Sequence, residues 1–236
     1  MFNFHSFHGK RGLLFIVLLF TLSLVFSCFT SAVDNVSPFV SGSSDKIVST
    51  DAELREAVNN APTKKSFTIA LNNDIILTET LDIPANKNIT LTSSKTAEEY
   101  CKLIGDIHKE SGNPLVWSHI VRVSTITVNA KGVLEFDGIV VTSTGSNDYA
   151  VTVDEAGQFI LHKGLISKHM CGVVNNGLFL LYDGEISDNV GGVDNRGVFR
   201  MFGGEITNNK LLDMSGGGGV SNDEGGTFEN LSSINF

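Results

Sequence analysis

Between Gly157 and Asn209 the sequence nearly repeats itself. Residues 157–176 read GQFILHKGLISKHMCGVVNN, residues 177–196 read GLFLLYDGEISDNVGGVDNR, and residues 197–209 start a third unit, GVFRMFGGEITNN, which resumes as GGGVSND after an insertion. The first two units are 20 residues long with no gap between them. An internal repeat of this length points to a stacked architecture in which each unit buries its apolar face against its neighbours. Matching positions form columns. Gly157, Gly177 and Gly197 open the units, followed by Phe159, Phe179 and Phe199, then Leu161, Leu181 and Met201. Gly164, Gly184 and Gly204 come next, then Ile166, Ile186 and Ile206, then Ser167, Ser187 and Thr207. Val173, Val193 and Val220 form a further column, and Asn175, Asn195 and Asn222 the last.

Within a unit the apolar residues alternate with the period of strands: Phe179 and Leu181, two apart, face the same side. Short runs such as Phe179–Tyr182 and Glu185–Ser187 are bounded by Gly, Asn and Asp, which supply turns. Twenty residues at ~3.3 Å each cover about 66 Å, enough for one closed coil of three short strands and three turns. Coils stacked at ~4.8 Å place identical residues above one another. The expected fold is therefore all-β, a right-handed parallel β-helix. The Phe, Leu/Met, Ile and Val columns are its core, and Asn175, Asn195 and Asn222 are a turn ladder joined through their amides.

A looser unit precedes the clear ones. In residues 132–156, Leu134 and Phe136 fall in the Phe and Leu columns and Val141 in the Ile column, with Ser143–Asp148 as a loop insertion. Further upstream, Thr68–Leu71, Ile75–Leu77, Ile89–Leu91 and Thr125–Val128 read as strands. The segment from Thr50 differs in kind. Thr50 and Glu53 have the spacing of a capping box, and Leu54, Ala57 and Val58 recur at helical spacing through Asn59. This predicts one short helix plugging the N-terminal end of the stack, since solenoids need atypical terminal units. Toward the other end, Gly226 and Phe228 restart the pattern, Asn230 occupies the Leu/Met column, and the sequence stops at Phe236 in mid-coil. The expectation is an incomplete C-terminal end, either part of a longer repeat protein or capped by another chain.

The first 32 residues stand apart. Lys10 and Arg11 precede an uncharged apolar run from Gly12 to Phe26, and Thr30 and Ala32 sit at the −3 and −1 positions before Val33. That order is the signature of a secretory signal peptide; an uncleaved anchor and a lipoprotein box around Val25–Cys28 are the alternatives. Residues 33–46 then form a linker and 47–236 the β-helix domain, clearest over 157–225. Cleavage removes Lys10 and Arg11 and no acidic residue, so the net charge moves from −9 to −11. No basic stripe survives, which disfavours a nucleic-acid partner. Cys101 and Cys171 remain, and their spacing leaves open whether they pair or stay as buried thiols.

Segments Gly177–Gly192 and Gly197–Gly219 resemble the repeats of adhesin-like, pectate-lyase-superfamily β-helix proteins of prokaryotic cell surfaces. The places that carry the resemblance are Gly197, Phe199, Gly203-Gly204, Ile206, Thr207, Asn209 and Gly218-Gly219-Val220. The stretch Ala52–Leu91, with Leu54, Ala57, Asp74 and residues 87–91 (KNITL), resembles how such domains begin. The resemblance covers about residues 47–225 and rests on structural residues. It implies a secreted or cell-surface protein with a role in adhesion.

Catalytic and metal motifs are sparse. Gly216–Gly219 followed by Asp223 lacks the GGxGxD spacing of a calcium nonapeptide, and His108, His119, His162 and His169 show neither HxH nor HExxH spacing. No metal and no cofactor is expected. Asp183, Asp188 and Asp194, with Arg196 and Arg200, are the exterior groups from which a polysaccharide lyase or glycosidase would have to be built. Glu185 and Glu205 form a column that reads as a solvated face. Trp117 and Tyr149 read as packing residues, with carbohydrate stacking as the alternative. The non-repeating stretches Lys95–Trp117 and Lys210–Gly218 are loops of the kind that carry function on a scaffold. Two classes therefore stand: a noncatalytic surface-binding module for glycans or cell-surface proteins, and a carbohydrate-active enzyme on the same fold. No catalytic residue is assigned.

Overall fold

The computed structural model describes residues 44–95, 99–107, 123–145, 148–210 and 218–232, all within the unit Ser43–Phe236. The expected signal peptide, most of the linker, Trp117, His108, His119 and Phe236 lie outside the described residues.

Eighteen strands among the described residues, numbered in chain order, fall into three parallel ladders. The first runs β1 (Lys46–Val48), β2 (Ser66–Leu71), β5 (Asn88–Ser93), β8 (Val133–Ser143), β10 (Gln158–Ile166), β12 (Leu178–Leu181), β15 (Val198–Met201) and β18 (Thr227–Asn230). The second contains β3 (Ile75–Leu77), β6 (Lys102–Gly105), β13 (Glu185–Ser187) and β16 (Glu205–Thr207), joined through the C-terminal halves of β8 and β10. Because β8 and β10 serve both ladders, these two form one sheet of 12 strands. The third ladder is a separate six-stranded sheet of β4 (Leu81–Ile83), β7 (Ser124–Val128), β9 (Tyr149–Val153), β11 (Cys171–Asn175), β14 (Gly191–Asn195) and β17 (Val220–Asn222).

The register follows the sequence columns. Phe159 pairs with Phe179, Phe179 with Phe199, and Phe199 with Phe228. Ile166 lies opposite Ile186 and Ile186 opposite Ile206; Val173, Val193 and Val220 align in the third ladder. In the looser upstream unit, Leu134 pairs with Phe159, Phe136 with Leu161 and Val141 with Ile166. A one-residue slip would turn every inward side chain outward, so burial of one face holds this register. The chain is thus mostly parallel β-structure, each 20-residue repeat giving one strand to each ladder.

The inward faces share one core. Phe136, Phe159, Phe179 and Phe199 are fully buried, as are Leu161, Leu181, Ile166, Ile186 and Val173, with Val193 close behind. Met201, Ile206 and Val220, expected in the core, are only half-buried against it. Their shielding thins for a local reason. Met201 faces Asn230 on the next strand, while β16 and β17 have no further neighbour in their ladders among the described residues. Asn222, the last member of the turn ladder, is exposed for the same reason.

The N-terminal helix, α1 (Asp51–Asn60), begins where the capping box places it. Thr50 is extended, and its hydroxyl accepts from the Glu53 N–H at 3.3 Å. The Glu53 carboxylate accepts from the N–H of Ser49, one residue ahead of the cap, at 2.7 Å. Leu54, Ala57 and Val58 are buried in the same core as Val48 and Ile75, and the helix packs against β1 and β3. Cys101 and Cys171 are both buried free thiols. No helix among the described residues is long and apolar enough to cross a membrane.

Candidate functional site

Asn175 and Asn195 are the last residues of β11 and β14 and are fully buried. The Asn175 amide donates to Asn195 Oδ1 at 2.7 Å, and Asn195 donates to Asn222 Oδ1 at 2.6 Å. The same amides reach the carbonyls of Val198 and Thr227, both at 3.0 Å. The amides thus bridge the ends of β11 and β14 to the first residues of β15 and β18. Their role is to hold the third ladder to the first.

The outward residues singled out in the sequence do not converge. Asp183 and Asp188 are exposed, and Asp188 sits at φ 55°, a turn position. Asp194 pairs with Arg196 at 2.9 Å and Arg196 with Asp223 at 3.0 Å, on the six-stranded sheet. Arg200 lies on the other sheet and pairs with Glu229 at 2.7 Å. Glu185 and Glu205 stand opposite each other on β13 and β16. Tyr149 is half-buried on β9.

A tighter outward cluster lies where β8 and β10 bend. The register between these strands shifts on both sides of Lys163, and Gly138 (φ 84°) and Gly164 (φ 127°) absorb the bend. A Cβ on Gly164 would strike the Ile139 carbonyl oxygen. The irregularity carries His162 toward Glu135: its Nε2 lies 3.0 Å from Glu135 Oε2, with side-chain exposures of 14% and 17%. Lys163 reaches Asp137 at 3.7 Å. His162 stacks on Tyr182 with centroids 5.4 Å apart, and Tyr182 on Phe202 at 4.8 Å. Burial pushes the Tyr182 phenol above its ordinary range, and the Glu135 charge adds to the push. Bulges of this kind re-aim side chains on a sheet face.

Only part of this cluster is visible in the sequence. His162, Tyr182 and Phe202 occupy one column of the repeat and form an outward aromatic column. Glu135 and Asp137 belong to the looser unit, whose spacing to β10 is altered by the bulge.

The arrangement limits its own chemistry. The rings are near-parallel, with interplanar angles of 13° and 7°, so within the stack they cover one another's faces. Tyr182, covered on both faces, offers a ligand its edge, whereas a sugar ring stacks on an open face. The carboxylates of Glu135 and Asp137 are engaged by neighbouring cations or imidazole instead of facing a shared gap. Among the described residues no three His, Cys, Asp or Glu side chains gather as metal ligands. The buried Cys171 thiol is pushed up to about 12 by desolvation and the nearby Asp194 charge, which makes it a poor nucleophile. No family model, curated protein or solved structure matches the chain.

Proposed function

We propose that residues 47–236 wind as a right-handed parallel β-helix, and that the protein is exported by its N-terminal segment to work as a noncatalytic, adhesin-like binding module. The winding is supported by three parallel ladders that share one repeat and stack the same inward residues. The observation that carries the binding role is cross-strand pairing on the outside. Lys163 pairs with Asp137, Arg196 with both Asp194 and Asp223, and Arg200 with Glu229, while His162 lies within hydrogen-bond distance of Glu135. A catalytic groove needs a carboxylate or base left free to exchange a proton with substrate. A paired, ridged face suits recognition of glycans or cell-surface proteins at the secreted or cell-surface location the leader implies.

A second reading keeps one supporting observation. Glu135 and Asp137 project from the same face of β8 beside His162 and Lys163, which is the residue mixture a carbohydrate-active enzyme would use. A glycan and polysaccharide screen scored for both retention and cleavage separates the two. The expected outcome is retention without new reducing or unsaturated ends. Cleavage that disappears in Glu135→Gln would overturn the binding role in favour of the enzyme.

A further inference from the structure

A second amide ladder lies in the turns leading into the six-stranded sheet. Ser187-Asp188-Asn189 and Thr207-Asn208-Asn209 share one geometry, with Asp188 and Asn208 in the left-handed region at φ 55° and 54°. Asn209 Oδ1 accepts from the Asn189 N–H at 3.1 Å and from Asn189 Nδ2 at 3.0 Å. Asn189 Oδ1 accepts in turn from the N–H of residue 169 at 3.0 Å. Ser167-Lys168-His169 repeats the turn, with Lys168 at φ 65°, but an imidazole stands where the next amide should be.

His169 has no exposed side-chain surface and Asp148 has 6%. The imidazole Nε2 lies 3.9 Å from Asp148 Oδ2 and 3.4 Å from the Thr125 hydroxyl. That hydroxyl donates to Asp148 Oδ2 at 3.0 Å, so its proton is not available to the ring. Asp148 Oδ1 and His169 Nδ1 are buried without hydrogen-bond partners among the described residues. The site has no slack, because a Cβ on Gly105 would collide with the Thr125 hydroxyl. A buried carboxylate beside a half-satisfied imidazole is costly in either charge state, whereas an Asn at 169 would continue the ladder.

We propose that Asp148 and His169 form a proton-sensitive catch between β9 and β11, closed at neutral pH and loosened by acid. The groups facing the imidazole are Thr125 from β7, Asp148 ahead of β9, Ser167 from its own turn and Asn189 ahead of β14. Asp148 is the charged one among them. Burial lowers the proton affinity of His169 below the ordinary histidine value of 6.5; the Asp148 charge, the Ser167 backbone and the Asn189 side chain oppose this only in part. The folded chain therefore binds fewer protons here than the unfolded chain. Protonation of this ring therefore leaves stability unchanged above pH 6.5 and lowers it as pH falls through the window below.

Hydrogen exchange on the full chain at pH 7 and pH 5, corrected for intrinsic rates, tests the catch. Opening of residues 148–153 and 169–175 should become more frequent in acid, by at most about tenfold per pH unit for one proton. His169→Asn should remove that dependence while leaving the protection of β12 and β15 unchanged. An acid response equal in both proteins, or none in the wild type, overturns the proposal. An imidazole NMR titration of the wild type gives an independent reading should the variant not fold: a midpoint for His169 at or above 6.5 also overturns it.

Discussion

The Phe179 ring is covered on both faces, by Phe159 at 5.2 Å and by Phe199 at 4.7 Å between centroids. Removing it leaves two rings facing a void that no neighbouring side chain is placed to fill. Phe179→Ala should therefore cost on the order of 3–5 kcal/mol in urea unfolding. A loss below about 1 kcal/mol would put the side chain outside the core and break the register of the Phe column. The same change at Phe228, which is 37% exposed, should cost much less, because water already reaches that ring. These columns were legible in the sequence because an unbroken 20-residue spacing puts equal residues at equal places on successive strands. The His162–Glu135 contact was not legible, since it joins a regular repeat to an irregular one across a register shift. The ladder of Asn189 and Asn209 was written in the sequence as Ser/Thr-x-Asn, but its bonds run to backbone groups that composition does not reveal.

The glycine column shows what an element can hide behind one letter. Gly164, Gly184 and Gly204 align in sequence, yet they are needed for different reasons. Gly164 takes φ 127° at the bend of β10, and a Cβ there would meet the backbone of Ile139. Gly204 takes φ 77°, while at Gly184 the obstacle is the Leu161 side chain. Backbone cannot retreat as a side-chain tip can. Gly164→Ala combines a disfavoured φ, worth about 1–3 kcal/mol, with a collision. Gly225→Ala supplies the comparison, because Gly225 has φ 91° and nothing within 4 Å of a built Cβ. Thermal unfolding should rank Gly164→Ala well below Gly225→Ala. Equal losses would mean that the bend between β8 and β10 yields freely, and that it does not fix the position of His162. The strands themselves were readable from alternation, but the bend was not, because a bulge depends on two partner strands disagreeing in length.

Across the described residues, burial of the inward columns fades in one direction. The Phe column is fully buried through Phe199 and 37% exposed at Phe228. The Leu column runs from buried Leu161 and Leu181 through half-buried Met201 to exposed Asn230. The Asn ladder runs from buried Asn175 and Asn195 to exposed Asn222. In the proposed β-helix, stability is a sum of local and nearest-neighbour terms, so this gradient should appear as a gradient of opening free energies. Amide exchange of the full chain in neutral buffer should be slowest across β10 and β12, faster at β15 and β16, and fastest at β17 and β18. Strand β18 also presents the last backbone edge of its ladder among the described residues, with Phe228 beside it, the kind of surface that pairs with another strand. A partner seated there would add the missing neighbour and raise protection at Thr227–Asn230 toward that of β12. Uniformly strong protection through β18 in a chain shown to be monomeric by light scattering would contradict nearest-neighbour stacking. It would mean that the C-terminal repeat is held by contacts other than the inward columns.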